Sequence, residues 1–273
     1  MIRAPHRAGV VLLLAARFAA AQVDSTSPKT FFTPRDAAVA GVFLAASAGI
    51  SYFDAKIARN FRDTNYFHVR VGDRLDDIFT HINETTLTVG SLAIYGVAKL
   101  AKQESVADIA FHTAESVAAA SLSAQLIRGP LGRTRPKDAK DPYDDQYEFH
   151  FMKGFTAFQQ RSFPSIHSSS GFAAAAALSE EVNMRAPGAR WWLGVPLYVL
   201  AATPGLSRMY LGQHWASDIF SGAFLGVFYG QRVVQYSHAH PTTRIDRIFL
   251  GNVKGAQVYF TPGGATVGWN RTF

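Results

Sequence analysis

Six apolar runs of helical length constrain this 273-residue chain more than any other feature. They cover residues 37–53, 87–100, 106–127, 172–181, 191–202 and 219–234. Turn formers and polar stretches separate them, which predicts an all-α fold with a six-helix bundle at its core. Thr33, Pro34 and Asp36 mark the first helix start: a hydroxyl cap, a proline at the first helical position and an acid in the first turn. Gly129, Pro130 and Gly132 stop the third run, and Pro204 with Gly205 stops the fifth. Residues 54–84 read as polar and amphipathic, with Leu75, Ile78, Phe79 and Ile82 at helical spacing.

The flanks differ in character from the bundle. Residues 1–21 read as an export signal: Arg3, His6 and Arg7 precede an apolar stretch over 8–16, and Ala19–Ala20–Ala21 supplies small residues for cleavage. Residues 22–36 form a polar linker, and 37–240 the helical domain. The tail, 241–273, holds two β-like runs at 257–260 and 265–269 around Thr261–Pro262–Gly263–Gly264, a hairpin pattern. A lone hairpin is marginal, so it is expected to pack on the bundle.

Composition narrows the function classes. Hydrophobic residues make up 48% and charged residues 17%, against a usual charged share of about 25%. That points to a tightly packed or membrane-associated protein, although a mean hydropathy of +0.03 pulls the other way. With no cysteine, disulfides, thiolate catalysis and cysteine-held zinc are excluded. Removing residues 1–21 takes away Arg3, Arg7 and Arg17 and no acid, so the charge falls from +7 to +4. A mildly basic balance suits anionic lipid surfaces or phosphate substrates. No basic run with interleaved aromatics is present, which argues against nucleic acid.

Three short clusters carry the chemistry. Ser207–Arg208 is followed by His214 and Asp218, which are four apart and share a face if the last helix begins there. A carboxylate so placed accepts the imidazole Nδ1–H and leaves Nε2 with its lone pair. Pro164–Ser165–Ile166–His167 stands where a loop turns into a helix start at Ser168–Ser169–Ser170–Gly171. Unpaired backbone N–H groups, a serine hydroxyl and a titratable proton then meet at an anion site. Arg128 and Arg135, seven apart across a Gly/Pro turn, can close forked donors on one anion.

In this order and spacing, the clusters resemble the type-2 phosphatidic acid phosphatase and vanadium haloperoxidase superfamily. Its pattern is a basic residue, six residues, Arg-Pro; then Pro-Ser-Gly-His; then Ser-Arg, five residues, His, three residues, Asp. The third part matches throughout; Arg128 stands where lysine is usual, and Ile166 where glycine is usual. The likeness covers roughly residues 37–235.

The resemblance implies a phosphatase that needs no metal and no cofactor. It would hydrolyse a phosphate monoester or pyrophosphate, of a lipid in the leading reading, through a phosphohistidine. By the same resemblance His214 is the nucleophile, Asp218 orients it, and His167 protonates the leaving alcohol and later activates water. Arg128, Arg135, Ser165, Ile166 through its backbone N–H, and Arg208 hold the phosphate; at Ile166 altered selectivity is expected, with the site intact. Membrane association and a place at the periplasmic side of a bacterial inner membrane, or in the periplasm, follow from it. A soluble periplasmic acid phosphatase and a vanadate-dependent haloperoxidase remain as alternatives, and a non-enzymatic envelope protein as the third reading.

Other residues stand outside the motifs. His112 and Glu115 read as a buried hydrogen-bonded pair, and His238 and His240 as caps of the last helix that resemble a weak metal pair. Trp191–Trp192 suits either a membrane interface or core packing. The acidic, aromatic stretch 137–161 reads as a lid or as a solvated surface loop.

Overall fold

The computed structural model describes residues 30–63, 79, 81–240 and 243–249, and the backbone of 256–261 and 264–269. The expected signal over 1–21, residues 22–29 of the linker, Leu75, Ile78 and the Pro262–Gly263 turn lie outside the described residues.

The helices are α1 (Pro34–Ser51), α2 (Asp54–Asp63), α3 (Glu84–Leu100), α4 (Glu104–Leu131), α5 (Ile166–Arg185), α6 (Arg190–Tyr210), α7 (Ala216–Ala239) and α8 (Arg244–Phe249). Five of the six apolar runs lie within a helix, and the first, 37–53, runs two residues past the end of α1. Local chemistry explains their starts. Thr33 caps α1, with its N–H and hydroxyl both on Asp36 Oδ2 at 2.7 and 2.9 Å. Asn83 caps α3 by accepting from Thr85 and Thr86. Strands β1 (Ala256–Thr261) and β2 (Gly264–Trp269) are paired antiparallel, Ala256 opposite Trp269.

Helix α5 is the central element and packs against α3, α4, α6 and α7. Its buried run Ala173–Ala177 keeps side-chain bulk low, so neighbours approach closely. The tightest neighbour is α7. A Cβ at Gly222 would fall well inside van der Waals contact of the Ser165 carbonyl, and one at Gly226 inside that of Ser169. This seam matters for function because it joins the first turn of α5 to the first turn of α7, where Ser165 N–H donates to the Asp218 carbonyl at 3.1 Å.

Three expected boundaries move. Gly129 and Pro130 lie inside α4, which runs to Leu131 and is closed by Gly132 alone. Pro204–Gly205 does not stop the fifth run: α6 continues to Tyr210 with Pro196 and Pro204 inside it. Proline 204 cannot donate to the Leu200 carbonyl, but the Thr203 hydroxyl does so instead at 2.6 Å. The helix expected to open at Ser168 opens at Ile166, with Ser165 as its cap.

The outer faces are unusually apolar. Leu100 is 87% exposed and Trp192 82%, and Val97, Leu122, Val199 and Val42 are also exposed. Trp191 and Trp192 therefore do not pack in the core, which removes that reading of the pair. Among the described residues no single helix is long and apolar enough to cross a membrane; α1 with Asp54–Arg62, bent by 54°, passes that test as a pair.

Candidate active site

The chemistry-bearing residues gather where several helices end or begin. Helix α4 closes at Gly132, whose φ of 59° is left-handed, and a Cβ there would strike the His150 carbonyl. The chain then runs extended through Arg133, Thr134 and Arg135. In extended chain residues two apart leave from the same side, so these two arginines are separated by the partners they reach. Arg133 turns inward to carboxylates, and Arg135 turns toward the histidines.

His214 is buried in the loop between α6 and α7. Its Nδ1 lies 2.7 Å from the Ser162 backbone carbonyl and 3.7 Å from Asp218 Oδ2. The expected direct orienter, Asp218, thus stands one step back. It accepts from the Ser162 hydroxyl at 2.5 Å, from the Trp215 N–H at 2.8 Å and from Arg133 at 2.6 Å. The geometric reason is its position at N3 of α7, where a carboxylate folds back onto the cap residue's N–H. Burial alone would raise its pKa; Arg133, then His214 and Ser162, overcome that and hold it below the usual carboxylate range.

His167 occupies the first turn of α5, and its Nε2 lies 2.8 Å from an Arg208 nitrogen. Burial, then Arg208, His214, Arg135 and Arg128, push its pKa down to about 3. Burial also lowers His214. Both imidazoles are therefore neutral near pH 7, as a nitrogen nucleophile requires. Arg135 is pushed down to about 10 by burial and by Arg128 and Arg208. The three guanidiniums and two imidazoles thus lie near enough to bias one another's charge. Cations packed together that closely favour an anion among them.

The remaining contacts shape that region. Arg128 Nε donates to Gln125 at 2.7 Å, and Arg135 to Gln213, with the Phe158 ring 3.8 Å from its guanidinium carbon. Buried Arg135 Nε has no hydrogen-bond partner among the described residues, a donor left for an incoming oxyanion. Ser165 is buried, and its Oγ accepts from the Ser168 N–H at 3.4 Å. Ile166 is buried at the first helical position and is not among the positive-φ residues. A β-branched residue therefore fits without backbone strain, and its N–H still faces the helix opening. Residues 137–161 do not hang free as a lid. Backbone bonds from Thr134 to Glu148 and from Arg135 to Gln159 fasten them around the site, with Phe151 and Phe158 exposed on the rim.

Two residues escaped sequence reasoning. Arg133, 2% exposed, bridges Asp218 and Asp54, at 2.6 and 2.8 Å. Asp54, fully buried at the start of α2, also accepts from the Ser217 N–H at 2.9 Å. An arginine two positions before Arg135 in extended chain was the available signal. Nothing local pointed to Asp54.

The expected His112–Glu115 pair is not the one formed: His112 Nδ1 lies 2.7 Å from Glu181 Oε1. His240 does close α7, the last of the six long helices, as its C-cap. His238 turns inward, with its Nε2 3.0 Å from Glu181. Glutamate 181 wins both because it projects from α5 into the space between α4 and α7.

Residues 110–241 match the PAP2 superfamily model. The chain is similar to a lipid A 1-phosphatase of Porphyromonas gingivalis, 37% identical over 70 residues, 26% of this chain and 15% of that protein. It is also similar to a lipid A 4'-phosphatase of Bacteroides thetaiotaomicron, 30% identical over 105 residues, 38% of this chain and 43% of that one. It thus spans less than half the length of either relative. Its fold is like the crystal structure of a transmembrane PAP2-type phosphatidylglycerolphosphate phosphatase from Bacillus subtilis: TM-score 0.56, 18% identity, covering 76% of this chain and 97% of that one. The family match ends at residue 241, and the comparisons lend the C-terminal hairpin no support.

Proposed function

Residues 110–241 belong to the PAP2 superfamily, and from that premise we propose that the chain hydrolyses the phosphate monoester or pyrophosphate of a lipid through a phosphohistidine. One observation carries the reading: Arg208 rests on His167 at 2.8 Å, and Arg128, Arg135 and His214 lie near enough to depress its protonation.

In the first step the His214 Nε2 lone pair attacks phosphorus, and the bond to the leaving oxygen breaks. His167, protonated once the phosphate dianion is bound, gives its proton to that oxygen. In the second step water attacks phosphorus, His167 takes its proton, and the P–N bond electrons return to His214. The guanidiniums, the Ser165 hydroxyl and the N–H groups opening α5 neutralise the non-bridging oxygens. Arg208, which rests on His167 Nε2 in the free protein, moves onto a phosphate oxygen and frees that nitrogen. No step calls for a metal.

The lipid part of the reading rests on the apolar outer faces and the aromatic rim. Exposed Phe158, whose ring lies against Arg135, and exposed Phe151 and Phe155 in the same segment suit acyl chains arriving from a lipid surface. We place the protein on the periplasmic side of a bacterial inner membrane, with 1–21 as export signal, 37–240 as the phosphatase domain and 241–273 as a hairpin-bearing tail.

The test is phosphate release by detergent-purified protein from phosphatidic acid, phosphatidylglycerolphosphate, lipid A, a polyprenyl pyrophosphate and p-nitrophenyl phosphate, with and without chelator. Preference for a lipid ester, undiminished by brief chelation, is expected. Inactivity on every ester, or halide oxidation with added vanadate instead, overturns the proposal.

A further inference from the structure

Three electron-rich atoms face one another between α4 and α8. His112 Nε2, Glu115 and Asp246 place their ligand atoms within 4.8 Å of one another. His112 is 2% and Asp246 4% exposed. His112 Nε2, Glu115 Oε2 and Asp246 Oδ2 are all buried, and none has a hydrogen-bond partner among the described residues. Buried polar atoms left unpaired are costly, and three at one point are exceptional.

The tautomer of His112 sharpens the case. Its Nδ1 donates to Glu181 Oε1 at 2.7 Å, and Glu181 is itself held by Arg185 at 2.8 Å. A carboxylate behind one ring nitrogen is the usual support for a histidine whose other nitrogen binds metal. His112 and Glu115, three apart on α4, share a helix face. Asp246 arrives from α8, and Asp108 Oδ1 stands 3.6 Å from His112 Nε2 as a further oxygen. The neighbouring group of Asp108, Glu181 and His238 needs no cation, because Arg185 bridges both of its carboxylates.

We propose that His112 Nε2, Glu115 and Asp246 bind a divalent first-row transition cation, with Glu181 orienting His112. One nitrogen and two carboxylates suit zinc, the probe chosen here. Metal–ligand bonds of about 2.0–2.2 Å set ligand atoms roughly 3–3.5 Å apart, so small side-chain movements close the site. The role is structural. His112 lies sixteen residues before Arg128 on α4, about 24 Å along the helix. The cation pins α8 to α4, where Phe249 stacks on Phe111 at 5.0 Å and its carbonyl accepts from Tyr95.

The experiment uses the full chain, purified in detergent and stripped by prolonged chelation. Zinc is then titrated by calorimetry, with bound metal counted by mass spectrometry and melting followed by fluorescence. One equivalent of zinc and a raised Tm are expected. Glu115→Gln and Asp246→Asn, near-isosteric changes that avoid truncating a buried side chain, should each weaken zinc at least tenfold and abolish the Tm response. His214→Ala should leave the stoichiometry unchanged, which separates this site from the phosphate pocket. Wild-type protein that neither holds zinc nor responds in Tm overturns the proposal, and so does unchanged affinity in both amide variants.

Discussion

Nδ1 of His214 donates to the backbone carbonyl of Ser162 at 2.7 Å, while Asp218 stands 3.7 Å away and is tied to the Ser162 hydroxyl instead. The tautomer of His214, the proposed nucleophile, is therefore held by main chain, and the carboxylate supplies negative charge and fixes the loop. Where a carboxylate is the direct orienter of a catalytic histidine, its amide replacement costs about 10⁴ in kcat. Here Asp218→Asn should cost less, on the order of 10²-fold, because the carbonyl still enforces the tautomer. Ser162→Ala keeps that carbonyl and should cost about tenfold or less. His214→Ala should leave no measurable turnover. Steady-state kinetics on the preferred ester check all three, and an Asp218→Asn loss as deep as that of His214→Ala would contradict the shared-orienter geometry.

Anion binding should take up a proton. In the free protein burial and the surrounding cations hold His167 near a pKa of about 3, below the ordinary value of about 6.5. A bound dianion neutralises those cations and raises it. The complex then carries more protons than the free protein between the two pKa values, so affinity falls as pH rises through that window. Sulfate, a monomeric dianion across the range, is the probe: calorimetry near pH 5 in buffers of different ionisation enthalpy should show uptake approaching one proton. His167→Asn should remove it. Proton release on binding would reverse the assignment.

Arg133 should matter more for stability than for phosphate affinity. It is the cation that neutralises buried Asp54 and Asp218 together, and removing one partner of a buried pair costs about 3–5 kcal/mol. Arg133→Met should lower the Tm sharply, whereas Arg135→Met, at a position facing the pocket, should raise KM with a small change in Tm. Thermal melts beside Michaelis kinetics distinguish the two.

The α5–α7 seam predicts a substitution that acts on catalysis without touching a catalytic group. In Gly222→Ala the new methyl presses on the Ser165 carbonyl, an overpacking worth roughly 1–3 kcal/mol. Relief requires moving the first turn of α5, which carries Ser165 and His167. A fall of about tenfold or more in kcat alongside the lower Tm is expected; full activity at reduced Tm would mean that the seam does not position His167.

The helical class was legible because periodic apolar runs and caps are local properties, and each run became a helix. That Arg128, Arg135, Arg208, His167 and His214 would lie near one another could also be expected from residue type and spacing, and the structure brings them together. What was not legible came from partners distant in the chain. Asp54 joins Arg133 across 79 positions and Ser217 across 163, and no local pattern encodes such a meeting. Main-chain groups such as the Ser162 carbonyl carry no mark in a sequence, because every residue has one. Likewise, Pro204 looks like a helix stop until a neighbouring hydroxyl satisfies the carbonyl it leaves open.

Composition and spacing thus settled which kinds of group this chain can present, since charge, hydroxyl and imidazole belong to single residues. Only packing decided which of them touch. Orienting His214 from the main chain, turning Arg133 inward and pairing His112 with Glu181 all depend on how closely α4, α5 and α7 approach, and that distance is set by side-chain bulk summed over the whole core.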